Sequence, residues 1–412
     1  MSTRREIYAD HAATTPPAPE VVQAMQPYFA EAFGNASSVH RRGEAAREAI
    51  VAARERVAAL VGCSPEEVVF TASGSEANNL ALKGAWAAAQ LAQTSASPRT
   101  AIVVSAIEHP SVLETARHLE SHGAELRVVP LGADGIVDLD ALAAAVDASV
   151  AIVSLMWVNN EIGTIQPVAQ AAAIARRAGA RFHCDAVQAA GKLPLEFAAS
   201  EIDLLSIAGH KLHGPLGAAA LVVRRRVRLV PLVHGGHQER SRRAGTENLP
   251  AVVGFGVAAE RAVARIAAGG PAADDARGER LREGLVAHIA GARLNGDAAR
   301  RVGSIVSLCF PGVDGEAVLH ELDRESITVS TGSACSAATP GPSHVLVALG
   351  LRPEDAHASV RFSLGEGTTD ADVATMLDVV PGVVARLRAD AGSVHHHEAR
   401  TVRHGAVAGR GA

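Results

Sequence analysis

Seven short apolar runs set the terms for how this chain can fold. They are Val68–Phe70, Ala101–Val104, Leu126–Val129, Val150–Trp157, Arg181–Cys184, Leu204–Ile207 and Ala218–Val223. None alternates strictly with polar residues, so each reads as a strand buried on both faces. Helical stretches separate them. From Val39 to Val61 the residues Ala46, Ile50, Ala53, Val57 and Leu60 recur at three- and four-residue steps, and Gly62 stops the pattern. Buried strands alternating with helices make a helix-covered, mostly parallel sheet, an α/β architecture. Ligands in such sheets sit beyond the carboxyl ends of the strands. Residues that directly follow the runs are therefore the first place to look for chemistry.

The chain is long enough for more than one core: 412 residues, 48% of them hydrophobic. Composition shifts over Ala267–Arg280, a stretch rich in Gly, Ala, Pro and Asp, which is predicted to be a domain boundary. Beyond it the pattern is α+β, with a helix at Glu279–Ile289, a strand at Gly303–Phe310, a helix at Gly315–Glu325 and a short strand at Thr328–Ser330. Gln90–Thr100 reads as a polar loop. From about Asp390 the chain is Ala, Gly, Arg and His without periodicity, and a disordered tail is expected. No internal repeat is visible.

A net charge of −5 with 20% charged residues does not supply the concentrated positive charge that nucleic acid or an anionic membrane requires. The N-terminus lacks an apolar stretch of signal-peptide length, and the strongly apolar run Val150–Val158 is too short to cross a bilayer. The expectation is a soluble cytoplasmic protein with neither nucleic-acid nor membrane partners. The four cysteines, Cys63, Cys184, Cys309 and Cys335, form no Cys-x-x-Cys pair. The first three lie in or beside apolar stretches and read as buried small hydrophobes; Cys335 does not.

Four segments follow strands and carry reactive groups. In Ser206-Ile-Ala-Gly-His210-Lys211 a lysine comes directly after a strand, where it could be a Schiff-base lysine; Ser206 and His210 could donate to a phosphate. An isolated lysine would more simply be a surface residue. In Phe182-His-Cys184-Asp185-Ala-Val-Gln188 the acid could cap a helix or partner a protonated pyridine nitrogen, and Gln188 lies about one turn later on the same face. Thr71-Ala-Ser-Gly74-Ser75-Glu76 opens a helix and could cradle phosphate. Ile107-Glu108-His109-Pro110 offers a ring able to stack on a cofactor.

Taken together, these segments resemble the fold type I pyridoxal-phosphate enzymes, and within them the NifS/IscS-like cysteine desulfurases of the class-V aminotransferase family, in the class with the longer catalytic loop. The resemblance runs from Tyr8 to about Arg388. It includes Asp10-His-Ala-Ala-Thr-Thr-Pro16, Phe33-Gly-Asn-Ala-Ser-Ser-Val-His40 and Val158-Asn-Asn-Glu-Ile-Gly-Thr164. Arg243-Ala-Gly-Thr246-Glu-Asn, Ser330-Thr-Gly-Ser-Ala-Cys335-Ser and Val360-Arg361-Phe-Ser-Leu-Gly discriminate most. Ala36, His11 and Ser75 depart from the usual Pro, Asn or Tyr, and Thr, and remove no group the chemistry needs.

The resemblance implies a seven-stranded, mostly parallel sheet in a large cofactor-binding domain (16–264). A smaller α+β domain would comprise 1–15 and 265–388, carry the cysteine loop 331–342, and leave 389–412 as tail. It implies that Lys211 holds pyridoxal 5'-phosphate, that Asp185 pairs with the pyridine nitrogen and Gln188 with the ring oxygen, and that His109 stacks on the ring and shuttles protons. Gly74, Ser75, Ser206, His210 and Thr246 would bind phosphate, Thr246 in the neighbouring subunit of a homodimer. Asn160 and Arg361 would hold the carboxylate of L-cysteine. Cys335 would take the sulfur as a persulfide and pass it to an acceptor protein. Thr331–Pro342 contains no large apolar anchor, so it is predicted to be mobile, which suits a cysteine that must reach the cofactor and then deliver sulfur.

Other readings are a selenocysteine lyase, an aminotransferase or a kynureninase, which share the lysine and aspartate but do not need Cys335, and a non-catalytic scaffold, which the intact reactive residues argue against. With 18 histidines, the chain also admits the reading of a histidine metal protein. His210/His213 and His234/His237 fall inside the cofactor segments, however, and no carboxylate or cysteine completes a zinc set.

Overall fold

The strands form where the apolar runs lie. The computed structural model describes residues 5–92, 99–332 and 341–405, with side chains through Asp390. A two-residue strand, β1 (Ile7–Tyr8), comes first. The seven runs then become β2 (Val68–Thr71), β3 (Ala101–Ser105), β4 (Glu125–Val129), β5 (Val150–Ser154), β6 (Arg181–Asp185), β7 (Leu204–Ala208) and β8 (Ala219–Val223). They make one sheet in the order β2-β8-β7-β6-β5-β3-β4. Pairings from β4 across to β7 are parallel, and β8 runs antiparallel to both β7 and β2. Every residue of β3, β5, β7 and β8 is buried, as strands covered on both faces must be. β4, at an edge, mixes exposed and buried residues.

The helix predicted over Val39–Val61 is Arg41–Val61. His40 caps its start, and Gly62 ends it in the left-handed conformation at φ 65°. It packs against the helix Leu249–Ala267, which lies on the same apolar cluster.

Beyond the large sheet, β9 (Arg293–Leu294), β10 (Ile305–Cys309) and β12 (Ser359–Ser363) form a small antiparallel sheet in the order β12-β10-β9. β11 (Ile327–Thr328) pairs in parallel with β1. Leu281, Val306, Phe310, Val360, Phe362 and Val380 are among the residues of a separate apolar cluster there. The N-terminal strand thus joins the C-terminal part of the chain, and Asp10 is placed beside Ser363.

Ala267–Arg280, expected as a domain boundary, is helical rather than extended chain. Gly269, at φ 74°, turns the chain, and a helix restarts at once as Gly270–His288 with Pro271 in its first turn. Asp274, on that helix, is paired with Arg265 and Arg277, so the small and acidic residues that resemble a linker hold two helices together. The tail, expected to be disordered from 389, is helical as far as 405, where it continues the helix Asp370–Gly405; 406–412 lie outside the described residues. Residues 389–405 contain no proline, and extending an existing helix costs far less than starting one. Cys335 lies outside the described residues.

Candidate active site

Lys211 stands at the end of a 3-10 turn, Gly209–Lys211, directly after β7. A Cβ on Gly209 would meet the Phe255 ring at 3.0 Å and the Ala218 carbonyl at 3.1 Å, so glycine lets the turn pack closely against both. Lys211 Nζ donates to the carbonyls of Ala12 and Ala13, each at 2.5 Å. The N-terminal segment therefore forms one wall of the site.

Asp185 ends β6. One carboxylate oxygen accepts from the Val187 amide at 3.0 Å and the other from Asn78 Nδ2 at 2.7 Å. Gln188 Nε2 donates to Ala12 O at 2.8 Å, and its Oε1 accepts from Lys192 Nζ at 3.2 Å. Gly74 and Ser75 open the helix Gly74–Leu91, whose cap is Ser73. Ser73, Gly74 and Ser75 at that helix start line the crevice, and a helix N-terminus of this kind suits an anion. His109 caps the helix Pro110–Glu120 after β3. Burial lowers its pKa, with Lys211 and His344 acting the same way and Asp185 opposing. His210 contacts Thr14 Oγ1 at 3.0 Å, and burial, then Lys211, lowers its pKa to about 4.

From the small sheet comes Arg361, on β12 and 2% exposed. Its Nη2 donates to Asp10 Oδ1 at 2.6 Å and its Nη1 to the Asn160 carbonyl at 2.9 Å, while its buried Nε–H has no partner among the described residues. Asn159 shapes the loop that presents Asn160: its Oδ1 accepts from the amides of Glu161 and Ile162, and its Nδ2 donates to Ile107 O at 3.0 Å.

One cavity of about 260 Å³ is lined by Lys211, Asp185, Gln188, His109, Gly74, Ser75, His210, Asn160 and Arg361. Two residues expected at the site do not line it. Ser206 is fully buried inside β7, bonded to His183 Nε2 at 2.9 Å; Ala208, at the open end of the strand, borders the cavity instead. The Ser206 assignment is corrected accordingly. Thr246 sits exposed on a separate loop. A larger groove of about 790 Å³ near Pro16, Val22, Phe29 and Leu216 is apolar and holds none of these groups.

The aminotransferase class-V family model matches residues 7–376. The chain belongs to that family. Its curated relatives include the cysteine desulfurase of Gluconacetobacter diazotrophicus, 46% identical over 384 residues that cover 93% of this chain and 94% of the relative. Cysteine desulfurase IscS of Dictyoglomus turgidum is 40% identical, covering 93% of this chain and 96% of its own length. Among solved structures, a NifS-like protein superposes with a TM-score of 0.84 at 32% identity, covering 93% of this chain and 100% of that one. SspA in complex with cysteine superposes at 0.77 with 33% identity, over 88% and 100% of the two chains. Class-V aminotransferases of this kind are pyridoxal-phosphate enzymes.

The residues present fit that cofactor. The lysine, the aspartate and the helix start border one cavity, and two buried polar atoms beside it, Asn78 Oδ1 and Arg361 Nε, have no partner among the described residues. Several cavity residues escaped the sequence reading. Asn78 reads as an ordinary helical polar residue, although it lies one turn after Gly74 on the same face. Glu161 sits inside the Asn-Asn-Glu motif, where burial raises its pKa. His344 starts a helix just after the cysteine loop. Ser111 sits two residues beyond His109.

Proposed function

We propose that this chain is a pyridoxal-phosphate-dependent cysteine desulfurase. It converts L-cysteine to L-alanine and takes the sulfur onto Cys335 as a persulfide for an acceptor protein. The observation that carries this reading is the convergence of Lys211, Asp185, Asn160 and Arg361 on one cavity in a chain whose relatives are desulfurases.

Bound in the cavity, pyridoxal phosphate supplies an electron sink for the charge left when the substrate loses its Cα proton. Lys211 tethers it and takes that proton at Nζ. Asp185, accepting from Val187 and Asn78, keeps its position against the ring nitrogen. Gln188 is turned by Lys192 so that its amide nitrogen can serve the ring oxygen. His109 covers the ring face. Gly74, Ser75 and His210 hold the phosphate, and Thr246 does so from the partner of a homodimer. The apolar groove with exposed Val22, Phe29 and Leu216 supports an oligomer, since patches of that kind rarely face water. Asn160 and Arg361 hold the substrate carboxylate, with Arg361 Nε–H free to donate. The Cys335 thiolate attacks the substrate sulfur; an S–S bond forms, the C–S bond breaks, and its electron pair stays with the three-carbon product.

In this reading residues 16–264 bind the cofactor, while 1–15 and 265–388 bring Arg361 and the cysteine loop; the separate apolar cluster around Leu281, Val306 and Phe362 supports the division. A cytoplasmic setting suits a working thiol, and iron–sulfur cluster assembly is one outlet for the sulfur. Incubation with L-cysteine, coenzyme and a thiol reductant should yield alanine and sulfide in equal amounts, and Lys211→Ala should yield neither. Turnover of selenocysteine with none of cysteine overturns the reading.

A further inference from the structure

A short hydrogen-bonded chain ties the aspartate of the site to its histidine. Both oxygens of Asp185 accept, so Asn78 must turn its amide nitrogen toward them. The second N–H of that same nitrogen donates to Ser111 Oγ at 2.9 Å. With its oxygen so engaged, Ser111 has its hydroxyl proton left for His109 Nδ1, 2.8 Å away. The backbone amide of Ser111 also donates to Nδ1, at 3.1 Å. A backbone N–H cannot reverse its role, so Nδ1 must carry a lone pair. Every donor in the chain points from Asn78 outward, to Asp185 on one side and to His109 on the other.

We infer that Asn78 and Ser111 are positioning residues that lock His109 as the neutral tautomer with its proton on Nε2, so that His109 works as a fixed hydrogen-bond donor over the cofactor rather than as a proton carrier. This rests on the proposed desulfurase reading for what the donor faces. Protonating Nδ1 would break two hydrogen bonds at once. The positive end of the helix that His109 caps disfavours the cation further. The charged groups facing the ring are Asp185 from β6, Lys211 after β7 and His344 after the cysteine loop; the last two disfavour the cation, and only Asp185 favours it. Neighbouring Glu108 is turned away, bonded to Ser105 Oγ and the Met156 amide.

The test is nitrogen NMR of histidine-labelled holoenzyme, with the His109 signals assigned by their loss in His109→Gln. The expected result is an unprotonated Nδ1 and a protonated Nε2 throughout pH 6 to 8. A protonated Nδ1 or an imidazolium in that range overturns the inference. Ser111→Ala should move the acid limb of the kcat/KM profile upward by about one pH unit, the effect of one ordinary hydrogen bond, and Ser111→Thr should restore it. An unmoved limb in Ser111→Ala also overturns it. The visible band of bound coenzyme tests the desulfurase reading separately, and the nitrogen shifts can be read whether or not that band appears.

Discussion

Replacing Arg361 with lysine separates two roles that this side chain combines. The guanidinium already gives one N–H to Asp10 and another to the Asn160 carbonyl, and its Nε–H, without a partner among the described residues, would serve a substrate carboxylate in the proposed reading. A lysine keeps the charge, and so retains an ion pair for Asp10. It cannot present a planar fork to three acceptors at once. The expected loss is one charge-assisted hydrogen bond to the substrate, about 1.5–3 kcal/mol, or roughly 10- to 150-fold in kcat/KM. It should fall mostly on KM, because the carboxylate is held alike before and during the reaction. Alanine formation at varied L-cysteine, read beside a thermal melt, measures both effects. A normal KM with only a lowered melting temperature refutes the reasoning: Arg361 would then be a structural partner of half-buried Asp10 and nothing more.

Other expectations follow from the buried network beneath the site. Glu108 is fully buried, and burial pushes its pKa up to about 8. The folded chain therefore holds a proton there that the unfolded chain releases near 4.5, and stability declines as pH rises through that window. Glu108→Gln should flatten this decline and add roughly 3–5 kcal/mol at pH 8 in urea melts; an unchanged pH slope contradicts it. His183 lies between Ser154 and Ser206, and burial lowers its pKa to about 4. The unfolded chain binds a proton near pH 6.5 that the folded chain refuses, so acidification from 6.5 to 4 should cost about 3 kcal/mol through this residue. His183→Gln should lose most of that acid sensitivity, and a variant equally sensitive to acid contradicts the assignment. Cys335→Ala should keep the coloured coenzyme band and lose sulfide release; undiminished sulfide would remove Cys335 from the mechanism.

Much of this was legible in the chain because burial on both faces leaves a plain mark. The seven runs became the seven strands, and Gly62 ended its helix where a left-handed residue was needed. The groups at strand ends, Asp185 and Lys211, were readable for the same reason: the crevice opens there. Ser206 shows the limit. It belongs to the same motif as Lys211, yet only the last residue of a strand reaches the crevice, and a two-residue difference in depth leaves no mark in the sequence. Asn78 was hidden because its partners, Asp185 and Ser111, come from other elements. The helix through Ala267–Arg280 was not legible because alanine, aspartate and arginine suit irregular chain as well as a helix, and the Arg265–Asp274 pair that holds it is tertiary.

The most direct measurement is mass spectrometry of the Cys335 peptide after the coenzyme-loaded protein meets L-cysteine carrying heavy sulfur. One heavy sulfur atom added to that peptide, matched by one alanine per chain in a single turnover, is the expected result. Alanine formed with no label on Cys335, or label on the peptide without alanine, contradicts the account.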